Sequence, residues 1–335
     1  MNEEKKHRHH GHRPPLHKMP LINWEALMNL AMRPFPGRPP EGGDGKGAGA
    51  PHHHGPGRGI GGWDNEAPFY SRMVQMEKNY TLKQLDLLEV APEDTVLDVC
   101  CGPGRLVVPL SKRAARVTGL DASPVMLELL QEYAKAEGDE SRIDTILMDW
   151  EDKDEVRALG AYDVVVTSRS AGLFDIPELV RLARKWVMCI IWANDSPSIP
   201  QVVGALFEGT REHGAPPFHF PQQDRRLGNN ILYNRVYDMG FDPNVRIIDD
   251  GWERVFASRE EAYAELLKLG KHGIDEGREA VFRANCDAFL TDQPDGAVKY
   301  FAPTKSMVIW WNVEEFHRKR AERKAEHCKR EERAE

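Results

Sequence analysis

Cysteine is scarce in this chain and is not organised. Cys100, Cys101, Cys189, Cys286 and Cys328 form no Cys-x-x-Cys pair and no disulfide framework. Long apolar runs are also missing. None approaches the ~20 residues that span a bilayer, and the charged N-terminus has no signal-peptide core. The expectation is a soluble, cytoplasmic chain with no membrane partner. Positive charge runs short in the middle of the sequence. Residues 1–62 carry nine Lys/Arg against five Asp/Glu, and residues 313–335 carry eight against seven, yet the whole chain has net charge −8, so residues 63–312 hold −13. An acidic body repels phosphate backbones, and no nucleic-acid partner is expected.

Hydrophobic residues make up 41% of the chain, enough for a substantial core, but the first 62 residues have few of them. That region is rich in His, Gly and Pro, a composition that cannot offset the entropy of ordering, and it is expected to be disordered. Within it, Trp24, Leu27, Met28 and Ala31 fall at helical spacing and suit a short docking helix. Order is expected from Trp63, with one or two helices between Asn65 and Val90.

A regular alternation follows. Strands are expected at Thr95–Cys100, at Arg116–Leu120 ending on Asp121, at Asp144–Met148, at Tyr162–Thr167 and at Trp186–Trp192. Helices fall between them, one over Gly104–Arg113 and another opened by Ser123 as N-cap with Pro124 at its first position. Strands alternating with helices at this spacing predict a parallel sheet covered on both faces. Beyond it, helices are expected within 194–227, over Ile231–Met239, from the Ser258-x-x-Glu261 capping box to Leu269, and over Glu276–Leu290. Extended segments are expected at Val245–Ile248, continuing weakly through Trp252–Phe256, and at Ser306–Trp311. The 313–335 tail reads as a charged helix.

The chemistry is concentrated at the first strand and the turn after it, Val96-Leu97-Asp98-Val99-Cys100-Cys101-Gly102-Pro103-Gly104-Arg105-Leu106. A glycine-rich turn there lets the backbone approach a ligand outside the carboxyl ends of the strands. Three further features fall at the same sheet edge. Asp121 ends the second strand, 19 residues beyond Gly102, where a carboxylate can accept both ribose hydroxyls of a nucleoside. Asp149-Trp150 ends the third strand, able to hydrogen-bond and stack on an adenine. Thr167-Ser168-Arg169-Ser170 ends the fourth, and Ser168 is its candidate ligand residue. Each has an ordinary structural explanation alone, which fits the set poorly. A dinucleotide fingerprint needs glycine at position 107, which is Val107, and a P-loop needs a Gly-Lys-Ser/Thr that does not follow. Asp98 would oppose a pyrophosphate but favour a cationic aminoacyl group.

On these residues, 95–193 resembles the class I S-adenosylmethionine-dependent methyltransferase domain, particularly its small-molecule branch. The family's first motif is Asp/Glu-x-Gly-x-Gly-x-Gly, and this chain has Asp98, Cys100 in place of the first glycine, Gly102 and Gly104. The resemblance implies a Rossmann-like, doubly wound sheet of seven strands, mostly parallel with an antiparallel last strand. Val245–Ile248 and Ser306–Trp311 would be its sixth and antiparallel members. It implies S-adenosyl-L-methionine as cofactor, with Asp98, Gly102 and Gly104 near its methionine moiety, Asp121 on the ribose, and Asp149 with Trp150 on the adenine. The expected layout is a methyltransferase domain over 63–312 with substrate-cap segments at about 194–227 and 257–292.

Catalytic candidates are weaker. Tyr70 resembles a lid tyrosine of small-molecule members but equally suits a helix-face core aromatic. His213 and His219 lie where the family builds its substrate wall, against a competing reading as surface-loop histidines. Tyr233 and Tyr237 share a helical face and suit packing. His7, His9, His10, His12, His52, His53 and His54 could hold a divalent metal loosely, although no folded frame fixes them. The function expected is methyl transfer to a small-molecule acceptor. Two alternatives stay open: a protein methyltransferase docking its partner through the N-terminal region, and a non-catalytic S-adenosylmethionine-binding module.

Overall fold

The computed structural model describes residues 22–24, 26–27, 59–193, 196–197, 199–211, 230–270, 273–319 and 321–322. A helix, α1 (Ala67–Leu85), precedes strand β1 (Thr95–Val99). Then come α2 (Val107–Ser111), β2 (Arg116–Asp121), α3 (Pro124–Glu137), β3 (Ile143–Leu147), α4 (Lys153–Ala158), β4 (Tyr162–Ser168), α5 (Ile176–Leu182) and β5 (Ala183–Trp192). The chain continues through α6 (Ile199–Leu206), α7 (Asn230–Asp238), β6 (Asn244–Phe256), α8 (Arg259–Leu267), α9 (Glu279–Asp287), β7 (Leu290–Asp292) and β8 (Val298–Asn312). The strands form one sheet in the order β3-β2-β1-β4-β5-β8-β6, with β7 beside β8. β1 to β5 pair in parallel, and β8 runs antiparallel to both β5 and β6.

Strand alternation builds the two layers. Val96, Val117, Val164, Val166, Met188, Ile190 and Val308 face one way, onto Leu85 of α1 and the helices α2 and α3. Leu97, Val99, Leu120, Val165, Val187, Cys189, Ile309 and Trp311 face the other, onto α5 and α7. The helix α3 begins as its sequence predicts. The Ser123 hydroxyl accepts the Met126 N–H with Pro124 at the first position, and Gly138 ends the helix at φ 77°.

Four expectations need correction. The sheet has eight strands, because β7 takes the end of the segment predicted to be helical to Leu290, so α9 stops at Asp287. β8 is also far longer than predicted, and β6 is one unbroken strand where only a weak continuation was expected beyond Ile248. Pro303 hid the length of β8: its missing N–H falls in the gap between the stretch paired with β5 (Ser306–Asn312) and the stretch paired with β7 (Val298–Tyr300), so no ladder bond is lost. The helix after the motif shortens to Val107–Ser111, since Gly104 is still in the turn at φ 87°. The body begins before Trp63. The Gly61 N–H donates to the Ala122 carbonyl, 2.8 Å away, and the Ser123 hydroxyl donates to Asp64, which ties 59–66 to the turn after β2.

The outer halves of β6 and β8, with β7, α6, α8, α9 and one side of α1, enclose a second hydrophobic core around Trp252, Phe256, Leu266, Phe282 and Tyr300. Both segments expected to cap the sheet contribute to it, although 212–229 lies outside the described residues. Helix α1 joins the two bodies, with Leu85 in the sheet core and Met73, Met76 and Tyr80 in the second. No helix among the described residues is long and apolar enough to cross a membrane.

Candidate functional site

The turn after β1 is left-handed at three positions within five residues: Cys100 (φ 56°), Gly102 (φ 53°) and Gly104 (φ 87°). Glycine adopts this conformation freely, whereas a residue with a Cβ is strained there. Cys100 thus holds the backbone shape of the glycine it replaces. Its thiol is no nucleophile, since burial and then Asp121 push its pKa up to about 12. Gly104 is required by space as well as by φ, because a Cβ there would meet Leu130 Cγ at 2.8 Å.

Asp98, on β1 at the base of this turn, is 2% exposed. Burial, with Asp121 adding to it, raises its carboxyl pKa to about 8 against a lowering by Arg105. Its carboxylate accepts no hydrogen bond from any described residue. A desolvated carboxylate costs stability unless something cationic meets it. Asp121 is placed differently. One of its oxygens accepts the Gly102 N–H (2.8 Å) and the other the Ser123 N–H (2.9 Å). It therefore organises the turn while two carboxylate oxygens keep further acceptor capacity. Burial raises its pKa, and the N–H groups of Ser123, Gly102 and Ala122 oppose that.

At the end of β3, Asp149 Oδ1 accepts the Glu151 N–H at 2.9 Å. Trp150 turns inward. It is 3% exposed in the core with Val156, Ile176 and Leu179, and Lys153 Nζ lies 5.1 Å from its ring centroid. Little ring surface is left for an adenine to stack on. At the end of β4, the Ser168 hydroxyl accepts from Arg105 Nη2 at 2.6 Å. Tyr70 sits near the start of α1 in edge contact with Trp63 and Phe69. Burial, Glu66 and Glu77 raise its pKa, and Arg169 opposes them. Tyr233 packs against the core, while Tyr237, stacked on it at 6.3 Å, is exposed. His213, His219 and the seven N-terminal histidines lie outside the described residues. Among the described residues no group of His, Cys, Asp and Glu could hold a metal ion.

The structure adds a polar network that sequence reasoning missed. Glu77 on α1 bridges two guanidinium groups, with Oε2 3.2 Å from Arg105 Nε and Oε1 2.8 Å from Arg169 Nη1. Burial opposes its ionisation, but Arg169 and Arg105 hold its pKa below the usual carboxylate value. Arg105 Nη1 also donates to Thr81 and Gln84, at 2.9 and 2.8 Å. Arg169 Nη2 donates to Ser306 (3.0 Å), and its guanidinium lies 3.3 Å from the Trp192 ring centroid. Ser306, Thr304 and Gln84 donate to Asp250. The signal in the sequence was an acid, Glu77, on the same helical stripe as Met73 and Tyr80. Arg169 is a second departure, at φ 52°.

The site thus gathers Asp98, Asp121 and Asp149 at or near the carboxyl ends of three adjacent strands, around a glycine-rich turn. Its donors and acceptors suit a nucleoside carrying a cationic tail. Residues 96–190 match the family described as methyltransferase domain. The chain is similar to an uncharacterized protein of Haemophilus influenzae, 25% identical over 75% of this chain and 89% of that protein. Among solved structures it is similar to the magnesium protoporphyrin IX methyltransferase of Synechocystis with bound S-adenosylhomocysteine. That match has 16% identity and a TM-score of 0.36, and covers 73% of this chain and 83% of that one. It is also similar to the geranyl diphosphate C-methyltransferase of Streptomyces coelicolor, at 15% identity and a TM-score of 0.38, over 88% and 98% of the two chains.

Proposed function

From a chain that carries a class I S-adenosylmethionine-dependent methyltransferase domain, we propose that it transfers the methyl group to a small-molecule acceptor. The carrying observation is Asp98, a buried carboxylate that accepts no hydrogen bond from any described residue, beside a turn that is left-handed at three positions. Bound S-adenosylmethionine supplies an electrophilic methyl group on a sulfonium. Asp98 holds the ammonium of the aminoacyl end, and Asp121 accepts the ribose hydroxyls while keeping Gly102 in place. Asp149 is the remaining group for the adenine amine. Ser168 closes the wall at β4.

Positioning and exclusion of water are the main tasks of such a site, because displacement at a sulfonium disperses charge. Tyr70 stays protonated near neutral pH, since burial raises its pKa, so it orients an acceptor by donating a hydrogen bond and does not act as base. A small acceptor is supported by the enclosure on the α1 side, where Glu77, Arg105 and Arg169 are nearly buried. The acidic body leaves nucleic acid disfavoured. The protein can be incubated with S-adenosylmethionine bearing a labelled methyl and a metabolite extract that also contains protein, and the products separated by size. Label in the small-molecule fraction is expected. Label confined to macromolecules would overturn the proposal.

A further inference from the structure

We propose that Glu77 is a positioning residue for cofactor binding: by holding Arg105 against α1, it keeps that guanidinium off Asp98 and leaves the carboxylate open to a cationic ligand. The inference rests on the assignment of Asp98 to the aminoacyl end of the cofactor made above. It adds a role for α1 that lies outside the matched domain at 96–190.

Two facts conflict unless something restrains Arg105. Its position just after the glycine-rich turn makes it the one cation among the described residues that lowers the pKa of Asp98, and carboxylates and guanidinium groups commonly form bidentate pairs. Yet no such pair forms. Arg105 turns the other way, with Nε on Glu77, Nη1 on Thr81 and Gln84, and Nη2 on Ser168. Three of those four partners lie on α1, at positions 77, 81 and 84, which share one helical face. Thr81 and Gln84 are neutral, so Glu77 alone supplies charge to compete with Asp98. The groups facing Asp98 from each side are Arg105, Asp121 from β2, and the neutral thiols Cys100 and Cys101 of its own turn. Without Glu77, pairing with Arg105 becomes the one way, among the described residues, to relieve Asp98. The pair would then occupy the place of the ligand's ammonium.

The test is titration of full-length protein with S-adenosylhomocysteine across pH 5.5–9.5 (roughly the range that brackets a buried carboxyl of this kind), with 5′-methylthioadenosine, which lacks the aminoacyl end, as the second probe. Wild type should bind S-adenosylhomocysteine more tightly as pH rises and level off above about 8. In Glu77→Gln the profile should move down by about one pH unit or more, with affinity at the plateau about tenfold weaker, as expected when a charged partner is lost. 5′-Methylthioadenosine should bind both proteins alike. Adding Arg105→Gln to Glu77→Gln removes the competing cation and should restore most of the affinity. A purely structural role for Glu77 would weaken both probes together, leave the pH profile in place and make the double variant worse, and that result overturns the inference. If Glu77→Gln does not fold, Arg105→Gln alone decides. Its profile should move to higher pH, and an unmoved profile overturns the inference. Wild type that binds no S-adenosylhomocysteine would instead defeat the cofactor reading itself.

Discussion

Asp98 is unfavourable for the protein alone, and the ammonium of the proposed cofactor would offset that cost. Its carboxyl titrates near 8 in the fold but near 3.8 when unfolded, so the folded state binds the extra proton between those values. Stability therefore falls as pH rises from about 4 to about 8, and is lowest above 8 where the buried carboxylate is charged. Asp98→Asn removes that slope. The variant should melt higher than wild type at pH 8, little differently at pH 4, and bind S-adenosylhomocysteine at least about tenfold more weakly through loss of a charge-assisted hydrogen bond. Melting curves at both pH values with a parallel titration check this, and a variant less stable than wild type at pH 8 would contradict it. Cys100 gives a second expectation. Glycine should be accepted at this left-handed position, whereas Cys100→Val should cost about 1–3 kcal/mol, because a β-branched side chain is strained there. Equal melting temperatures for the two variants would contradict the role given to the turn.

Among the elements, the parallel half of the sheet was legible because its strands are short runs rich in β-branched residues closed by turn signals, buried except for the edge strand β3, and because Ser123-Pro124 marks a helix start directly. The rest was obscured by local features that read against their tertiary setting. Pro303 and Gly251 interrupt the patterns of β8 and β6, yet they face each other in an unbroken register, and a Cβ at Gly251 would meet Phe301 at 2.5 Å. The three acids of the proposed site could be placed in the sequence from their positions at strand ends. Trp150 was misread because position alone does not tell which way a side chain turns, and Glu77 was missed because its partners lie 28 and 92 residues away in sequence. The segment 59–66 was assigned partly to the tail because its glycines look like linker. Its bonds to Ala122 and Ser123 lead to a sharper expectation. A chain starting at Pro56 should keep the melting temperature and S-adenosylhomocysteine affinity of the full chain, while one starting at Trp63 should lose affinity by severalfold. Equal binding by the two truncations would show that the segment only rests on the site.

For the molecule as a whole, the cofactor site lies on a sheet whose edge has been extended. The long hairpin-like pair of β6 and β8 carries a second core beyond the sheet, and α1 spans both bodies with the charged bridge of Glu77, Arg105 and Arg169 at its middle. Removing one member of such a buried set leaves an uncompensated charge, so the bridge ties the docking of α1 to the integrity of the cofactor turn. The acidic charge of residues 63–312 also suits a cationic ligand over an anionic one. These features converge on one discrimination, which calorimetric titration of the full chain with S-adenosylhomocysteine and with NAD at pH 8 measures directly. Saturable binding of S-adenosylhomocysteine, weakened in Asp98→Asn, with no response to NAD, is the predicted result. Binding of NAD with no response to S-adenosylhomocysteine would contradict the account.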